Sequence, residues 1–249
     1  MINNLLAEKA AMINEALDQL VQPQPDYPEV IFAAMRYSLL AGGKRLRPIL
    51  LMASAEALGQ DGKQFINVAA GLEMIHTYSL IHDDLPAMDD DDYRRGRPTC
   101  HKVFGEAIAI LAGDALLTKA FETIAAQKGV PPTTLLQVIR EIAVAAGACG
   151  MVGGQVLDIS TDSKPVDAAS LKFLHQAKTG ALFRAAVRAG AILAQATERE
   201  LTLLTQYADH FGLAFQITDD ILDVIGNPEL IGKPVGRDAK NHKQTYVTL

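Results

Sequence analysis

His82-Asp83-Asp84-Leu85-Pro86-Ala87-Met88-Asp89-Asp90-Asp91-Asp92-Tyr93-Arg94-Arg95-Gly96-Arg97-Pro98 follows directly on an apolar run, Met74 to Ile81, that reads as a buried or half-buried helix. Six of the ten residues from Asp83 to Asp92 are carboxylates. Two unit charges ~4 Å apart repel by about 1 kcal/mol in water and about 4 kcal/mol at the effective dielectric of a protein surface, so such a cluster beside a core needs cations. Divalent metal is one source and arginines 94, 95 and 97 are another. An unbroken helix would carry Asp89 about 240° round from Asp83, but Pro86 removes a backbone donor one turn along. The sequence therefore predicts a break near Pro86 that turns Asp89 back toward Asp83.

The run sits in a chain of 249 residues, 49% hydrophobic and 21% charged, which is enough for a sizeable core in one domain. Net charge is −6, with the excess acid gathered in two short clusters, which argues against nucleic acid and for metal or a metal-bridged ligand. Cys100 and Cys149 lie far apart in no ligand spacing, so a disulfide framework or zinc site is not expected and the compartment reads as reducing and cytoplasmic. The N-terminus lacks a signal layout and no apolar run reaches membrane-spanning length, so stable membrane insertion is not expected.

Apolar periodicity predicts helices over 2–21, 29–41, 49–58, from about Gln64 into the aspartate run, 106–127, 133–159, 168–195 and 198–225, with no strand alternation; the fold class is all-α. Gly42-Gly43 reads as a left-handed cap and Pro48 as the first helical residue. Between them, Gly43-Lys44-Arg45-Leu46-Arg47-Pro48 puts cations at a helix N-terminus, where the macrodipole disfavours each by a few tenths to about 1 kcal/mol. Either a solvated turn or a phosphate clamp explains them. His76 and Asp83 share a side of their helix about 10 Å apart. The glycines and alanines from Ala145 to Gly154 allow close packing, and Gln155 with Asp158 is either part of that packing or support for a metal site. Near the end, Gln216, Asp219, Asp220 and Asp223 fall within about 100° of arc, so one face carries an amide and three carboxylates among apolar flanks.

Taken together these residues resemble the trans-isoprenyl diphosphate synthases, most closely bacterial farnesyl diphosphate synthases (geranyltranstransferases), over nearly the whole chain. The first aspartate-rich motif, DDxxxxD with a following RRG, is matched by Asp83-Asp84, Asp89 and Arg94-Arg95-Gly96; the second, DDxxD, by Asp219-Asp220 and Asp223. GKRLRP, KTG, FQxxDD and GKxxGxDxxxxKxTY segments appear in order from Gly43, Lys178, Phe215 and Gly232.

The resemblance implies an antiparallel single-domain helical bundle around a central active-site cavity, with residues 1–249 forming a polyprenyl synthetase domain. Because the chain stops at Tyr246-Val247-Thr248-Leu249, that domain is expected to lack the last one or two helices. Lys44, Arg47, His76 and Arg95 would hold isopentenyl diphosphate. Arg94, Lys178 and Lys233 would hold the allylic dimethylallyl or geranyl diphosphate. Asp83, Asp89 and Asp219 would be the principal ligands of about three Mg²⁺ ions, with Asp84, Asp220 and Asp223 mainly on metal-bound water. Lys178, Thr179 and Gln216 would serve the chemistry, the last two as oxygen dipoles for an allylic cation. Tyr78 and Ser79, about 6 to 7.5 Å down the helix from Asp83, would set product length. The implied enzyme is a homodimeric farnesyl diphosphate synthase. A geranyl or geranylgeranyl diphosphate synthase, a terpene cyclase and an inactive metal-binding partner subunit are the alternatives.

Overall fold

The structure is a computed structural model that describes residues 2–161, 167–226, 236 and 245–248. Its described residues form helices α1 (Ile2–Leu20), α2 (Glu29–Leu39), α3 (Leu46–Glu56), α4 (Ile66–Asp83, after a 3₁₀ turn Gly62–Phe65), α5 (Cys100–Phe104), α6 (Glu106–Ala125), α7 (Pro132–Ala146), α8 (Met151–Thr161), α9 (Ala168–His175), α10 (Ala181–Leu193) and α11 (Glu198–Ile225). A π turn, Gln176–Gly180, joins α9 to α10, and a two-stranded antiparallel ribbon, β1 (Tyr93–Arg94) with β2 (Arg97–Pro98), follows α4.

The apolar content of α4 decides where it goes. Residues 68–75 are all buried, so the helix is enclosed on every side rather than along one stripe. It packs against α6 and α3, while α10 packs against α3, α7 and α11. Small residues make the closest contacts. A Cβ on Gly190 of α10 would lie 2.1 Å from the Leu51 carbonyl oxygen of α3, and one on Gly71 of α4 would lie 2.5 Å from Ile124 of α6. Helices at that separation lose the gap that larger side chains would hold open.

Several boundaries differ from the sequence reading. Helix α3 starts at Leu46 rather than Ile49, so Pro48 is its third residue; the first-turn N–H groups have no partner within the helix, and proline costs nothing there. The 133–159 pattern divides at residues 147–150 into α7 and α8, and the 168–195 pattern is interrupted by the π turn. The ribbon and α5 escape a reading by periodicity because two strand residues and five helical ones are too few for a period. Helix α11 matches its predicted limits, with Thr197 and Glu200 closing a capping box at its start.

Residues 132–160 are long and apolar enough, by composition, to be weighed as a membrane span. The turn divides them into helices of 15 and 11 residues, each shorter than the ~20 a span requires.

Candidate active site

Helix α4 ends at Asp83, and the chain reverses within a few residues, as Pro86 predicts. The Asp83 carbonyl accepts the Asp89 N–H at 2.9 Å, the Asp84 carbonyl accepts the Asp91 N–H at 3.2 Å, and the Leu85 carbonyl accepts those of Met88 (2.9 Å) and Asp90 (3.1 Å). Asp89 is thereby returned to Asp83. Burial pushes the Asp83 carboxyl up to about 6, with Lys178 opposing and Asp89 adding to the shift. Two carboxylates facing one another in a half-buried site, partly balanced by one lysine, form an oxygen-only donor pair suited to a divalent cation. Among the described residues no three His, Cys, Asp or Glu side chains converge on one point. Mg²⁺ takes one or two carboxylates and completes its shell with water and phosphate oxygens, so the Asp83 and Asp89 oxygens are donors of the kind it uses.

Asp84, Asp91 and Asp92 are arginine- or lysine-paired, while Asp90 is exposed. Asp84, 3% exposed, takes Arg94 Nε at 2.7 and 2.9 Å and Nη2 at 2.6 Å, while Asp91 lies 3.7 Å from the same guanidinium. Asp92 pairs with Lys102 at 2.6 Å. The resemblance makes Asp84 a metal residue; here its carboxylate is committed to Arg94, because a fork of guanidinium donors satisfies a buried carboxylate on both oxygens. The ribbon supplies the geometry. Arg95 and Gly96, both at positive φ (54° and 72°), form its two-residue turn and project Arg94 and Arg95 to either side.

Arg95 reaches back to the Gly42 carbonyl and lies against Gly43, where a Cβ would sit 2.7 Å from its guanidinium carbon. With φ at 120°, Gly43 is required both by its backbone and by that approach. Arg45 caps α3 in the left-handed region and is spent on structure: its side chain is fully buried against Glu73 (2.7 Å), the Asn14 amide oxygen (2.8 Å) and the Leu39 carbonyl (2.6 Å). Arg47 lies 4.3 Å over the Phe183 ring, and its buried Nε has no hydrogen-bond partner among the described residues. Burial lowers it to about 10, with Glu73 opposing and Arg95 adding. His76 is held well below its ordinary value by burial and then by Arg47, Arg95, Arg94 and Arg45. A neutral imidazole among four guanidiniums, one with an unpaired buried donor, marks an anion pocket. Lys44 is exposed beside it in sequence.

On the opposite wall, Lys178 of the π turn donates to Asp158 of α8 at 2.6 Å. Close packing sets this up, since a Cβ on Gly154 would lie 2.3 Å from the Lys178 nitrogen. Thr179 is half-buried in the same turn. Next to it, His175 is lowered by burial and raised by Asp220, Asp158 and Asp219, which links this turn to the α11 carboxylate face. Gln216 Nε2 donates to Asp220 Oδ1 at 2.8 Å, and the Tyr246 N–H donates to Asp220 Oδ2 at 2.8 Å. Asp220 is 2% exposed and Asp223 4%. Here too the structure commits Asp220 to protein donors where the resemblance implies metal-bound water. Lys233 lies outside the described residues.

Tyr78 is buried one turn below Asp83, edge-on to His82 with centroids 5.7 Å apart, and the Ser79 hydroxyl donates to the His76 carbonyl at 2.9 Å. Sequence reasoning leaves the Gly154-Gln155…Asp158 face undecided and does not single out His175. The signal for Asp158 and Gln155 is that the inward face of α8 is polar: Gly154 and Gln155 are buried and Asp158 half-buried, while Val152, Val156 and Ile159 face outward. Neither atom of the Gln155 amide has a hydrogen-bond partner among the described residues. A separate cleft of about 750 Å³ behind α10, lined by Glu141, Arg184, Arg188 and Asp209, shares only His175 and the π turn with this site.

A bundle whose central helix ends in a carboxylate pair, with an arginine pocket on one side and a second carboxylate face across from it, is the all-α prenyltransferase architecture. The solved geranylgeranyl pyrophosphate synthetase of Pyrococcus horikoshii has the same fold, with a TM-score of 0.90 at 39% identity over 99% of this chain and 75% of that one. The polyprenyl synthetase family model matches residues 28–249, and the chain belongs to that family. It is 52% identical to a dimethylallyltranstransferase of Fischerella ambigua over 98% of this chain and 70% of that protein. It is 48% identical to a farnesyl diphosphate synthase of Geobacillus stearothermophilus over 100% of this chain and 84% of that protein. The protein is a prenyltransferase of the trans-prenyl diphosphate synthase type.

Proposed function

We propose that the enzyme condenses an allylic diphosphate, dimethylallyl or geranyl, head-to-tail with isopentenyl diphosphate to give farnesyl diphosphate in a Mg²⁺-dependent reaction. The observation that carries this reading is the presence of two separate arrangements around the end of α4: the Asp83–Asp89 carboxylates near Lys178, suited to a diphosphate held through divalent metal, and the arginines around His76, suited to a diphosphate held directly. A single-diphosphate enzyme such as a cyclase has no use for the second.

Asp83, Asp89 and Asp219 would hold the Mg²⁺ ions, and Asp223 would orient bound water. When bound, Mg²⁺ supplies positive charge that stabilises a departing diphosphate. Lys178 and Arg94, with Lys233, bind the allylic diphosphate and stabilise the charge gained as its carbon–oxygen bond breaks. Arg47, Arg95, His76 and Lys44 hold isopentenyl diphosphate, with neutral His76 donating one ring N–H and the arginines supplying charge. The electron pair of the isopentenyl double bond then forms the new carbon–carbon bond to the allylic cation, and a proton leaves to the released diphosphate. Thr179 and Gln216 turn oxygen dipoles toward the cation, and Tyr78 with Ser79 floors the cavity at farnesyl length. A geranylgeranyl product is the second reading, supported by the likeness to the Pyrococcus enzyme. Assembly as a homodimer and residence in the cytoplasm complete the proposal, the free thiols Cys100 and Cys149 suiting a reducing compartment.

Incubation with Mg²⁺, geranyl diphosphate and isopentenyl diphosphate, followed by mass identification of products, tests the reading. Farnesyl diphosphate is expected. Product formed without isopentenyl diphosphate, or no turnover with both diphosphates and Mg²⁺ present, would reject it.

A further inference from the structure

Asp220 sits in the middle of the second aspartate-rich motif, and its carboxylate is held by protein donors. It is nearly fully buried, and each of its two oxygens is taken by a protein donor: Oδ1 by the side-chain amide of Gln216, one helical turn earlier, and Oδ2 by the backbone N–H of Tyr246. Tyr246 lies over this face, its ring tilted 31° against that of His175 with centroids 5.3 Å apart. The Asp223 carbonyl nearby accepts the Gly236 N–H at 2.8 Å, so the chain beyond α11 is tied back to the acidic face at two points.

We infer that Asp220 is a positioning residue that fixes which end of the Gln216 amide faces the reacting carbon and anchors the chain beyond α11 at Tyr246. The first half of the inference rests on the reaction proposed above. A carboxylate only accepts hydrogen bonds, so the group that Gln216 turns to Asp220 must be its NH₂. The amide oxygen is thereby directed to the other side, the polarity a developing cation needs. An amide with no such partner can present either end.

The substitution Asp220→Asn separates this role from metal binding. The replacement side chain offers one oxygen and one NH₂, and the Tyr246 N–H cannot be reversed, so the oxygen goes to Tyr246 and the NH₂ meets Gln216. Gln216 must then turn its own oxygen to that NH₂ and present its amide nitrogen to the cation. Asp220→Asn is expected to lower kcat by about 100-fold, the size of losing one dipole aimed at transition-state charge, with KM for both diphosphates and the Mg²⁺ concentration for half-maximal rate unchanged. Adding Gln216→Glu restores an acceptor for the introduced NH₂ and leaves a second oxygen outward, so the double variant should regain at least about tenfold in kcat over Asp220→Asn. A raised Mg²⁺ requirement in Asp220→Asn, or no recovery in the double variant, overturns the orienting role. The anchoring role has its own readout in the full chain. In Asp220→Ala, amide hydrogen exchange in the peptide containing Tyr246 should quicken at least about tenfold while that of α4 and α10 stays put; unchanged exchange at Tyr246 overturns it. A wild-type protein that makes no prenyl product would reject the proposed reaction while leaving this exchange test in force.

Discussion

Glutamine in place of Glu73 removes a buried carboxylate opposed to the guanidiniums around His76. Glu73 is 2% exposed and Arg45, its partner at 2.7 Å, has no exposed side-chain surface. Removing one member of a buried ion pair costs about 3–5 kcal/mol because the other charge stays in the interior. Glutamine keeps an oxygen for Arg45, which sets the expected loss near about 3 kcal/mol. At about 2–4 °C per kcal/mol for a chain of this size, the midpoint of thermal unfolding should fall by about 6–12 °C. The same substitution leaves Arg47 and Arg95 without a carboxylate that counters their crowding. Inorganic pyrophosphate at 100 times its Kd adds about 2.7 kcal/mol to a protein that binds it only when folded. Pyrophosphate should therefore bind the variant more tightly than wild type and raise its midpoint further at equal concentration. Urea and thermal unfolding with and without pyrophosphate measure both effects. A loss under about 1 kcal/mol, or an equal pyrophosphate shift in the two proteins, would refute the view that Glu73 balances a crowded cation pocket.

Tyr78→Ala should move the product mixture to longer prenyl chains, read by mass after incubation with isopentenyl diphosphate; an unchanged profile would remove Tyr78 from the cavity floor. Asp219→Ala should reduce kcat far more than it raises KM, since the charge it helps to hold matters as diphosphate departs, and near-wild-type turnover would make the α11 acids a solvated face. Because Asp83 is raised to about 6 by burial, it carries a proton below that pH and Mg²⁺ must displace it. The Mg²⁺ concentration for half-maximal rate should accordingly climb as pH falls from 7.5 to 5.5, by up to about tenfold per unit below 6, and an equal Mg²⁺ demand at both pH values would exclude Asp83 as a ligand. Gly43→Ala strains a backbone at φ 120° and pushes on Arg95, so it should raise KM for isopentenyl diphosphate about tenfold or more with little change for the allylic substrate.

Long periodic elements are legible in the sequence because their period repeats many times: α11 and its acidic face stand where the spacing of Gln216, Asp219, Asp220 and Asp223 puts them. The reversal at Pro86 is legible for a different reason, a missing donor at a point where the charge pattern also changes. What stays hidden depends on tertiary neighbours. Nothing local distinguishes Arg45, buried on Glu73, from Arg47, which lies over Phe183 beside His76. Asp84 and Asp83 are adjacent and identical in type, yet one is clasped by Arg94 ten residues on while the other meets the like charge of Asp89 across the turn. The π turn has no composition signature at all; it arises where α8 presses Gly154 against the Lys178 backbone.

That π turn makes the aim of Lys178 a property of chain length rather than of side-chain identity. A π turn carries one residue more than an α turn. Deleting a single residue between Gln176 and Gly180 would let α9 and α10 fuse into one regular helix with both flanking faces still in phase, because the wider turn is what absorbs the extra residue, while Lys178 inside the turn would swing round by up to about 100°. A one-codon loss there would then silence the site and leave a well-formed helix behind, whereas most point changes in the same five residues keep the register and the lysine's direction.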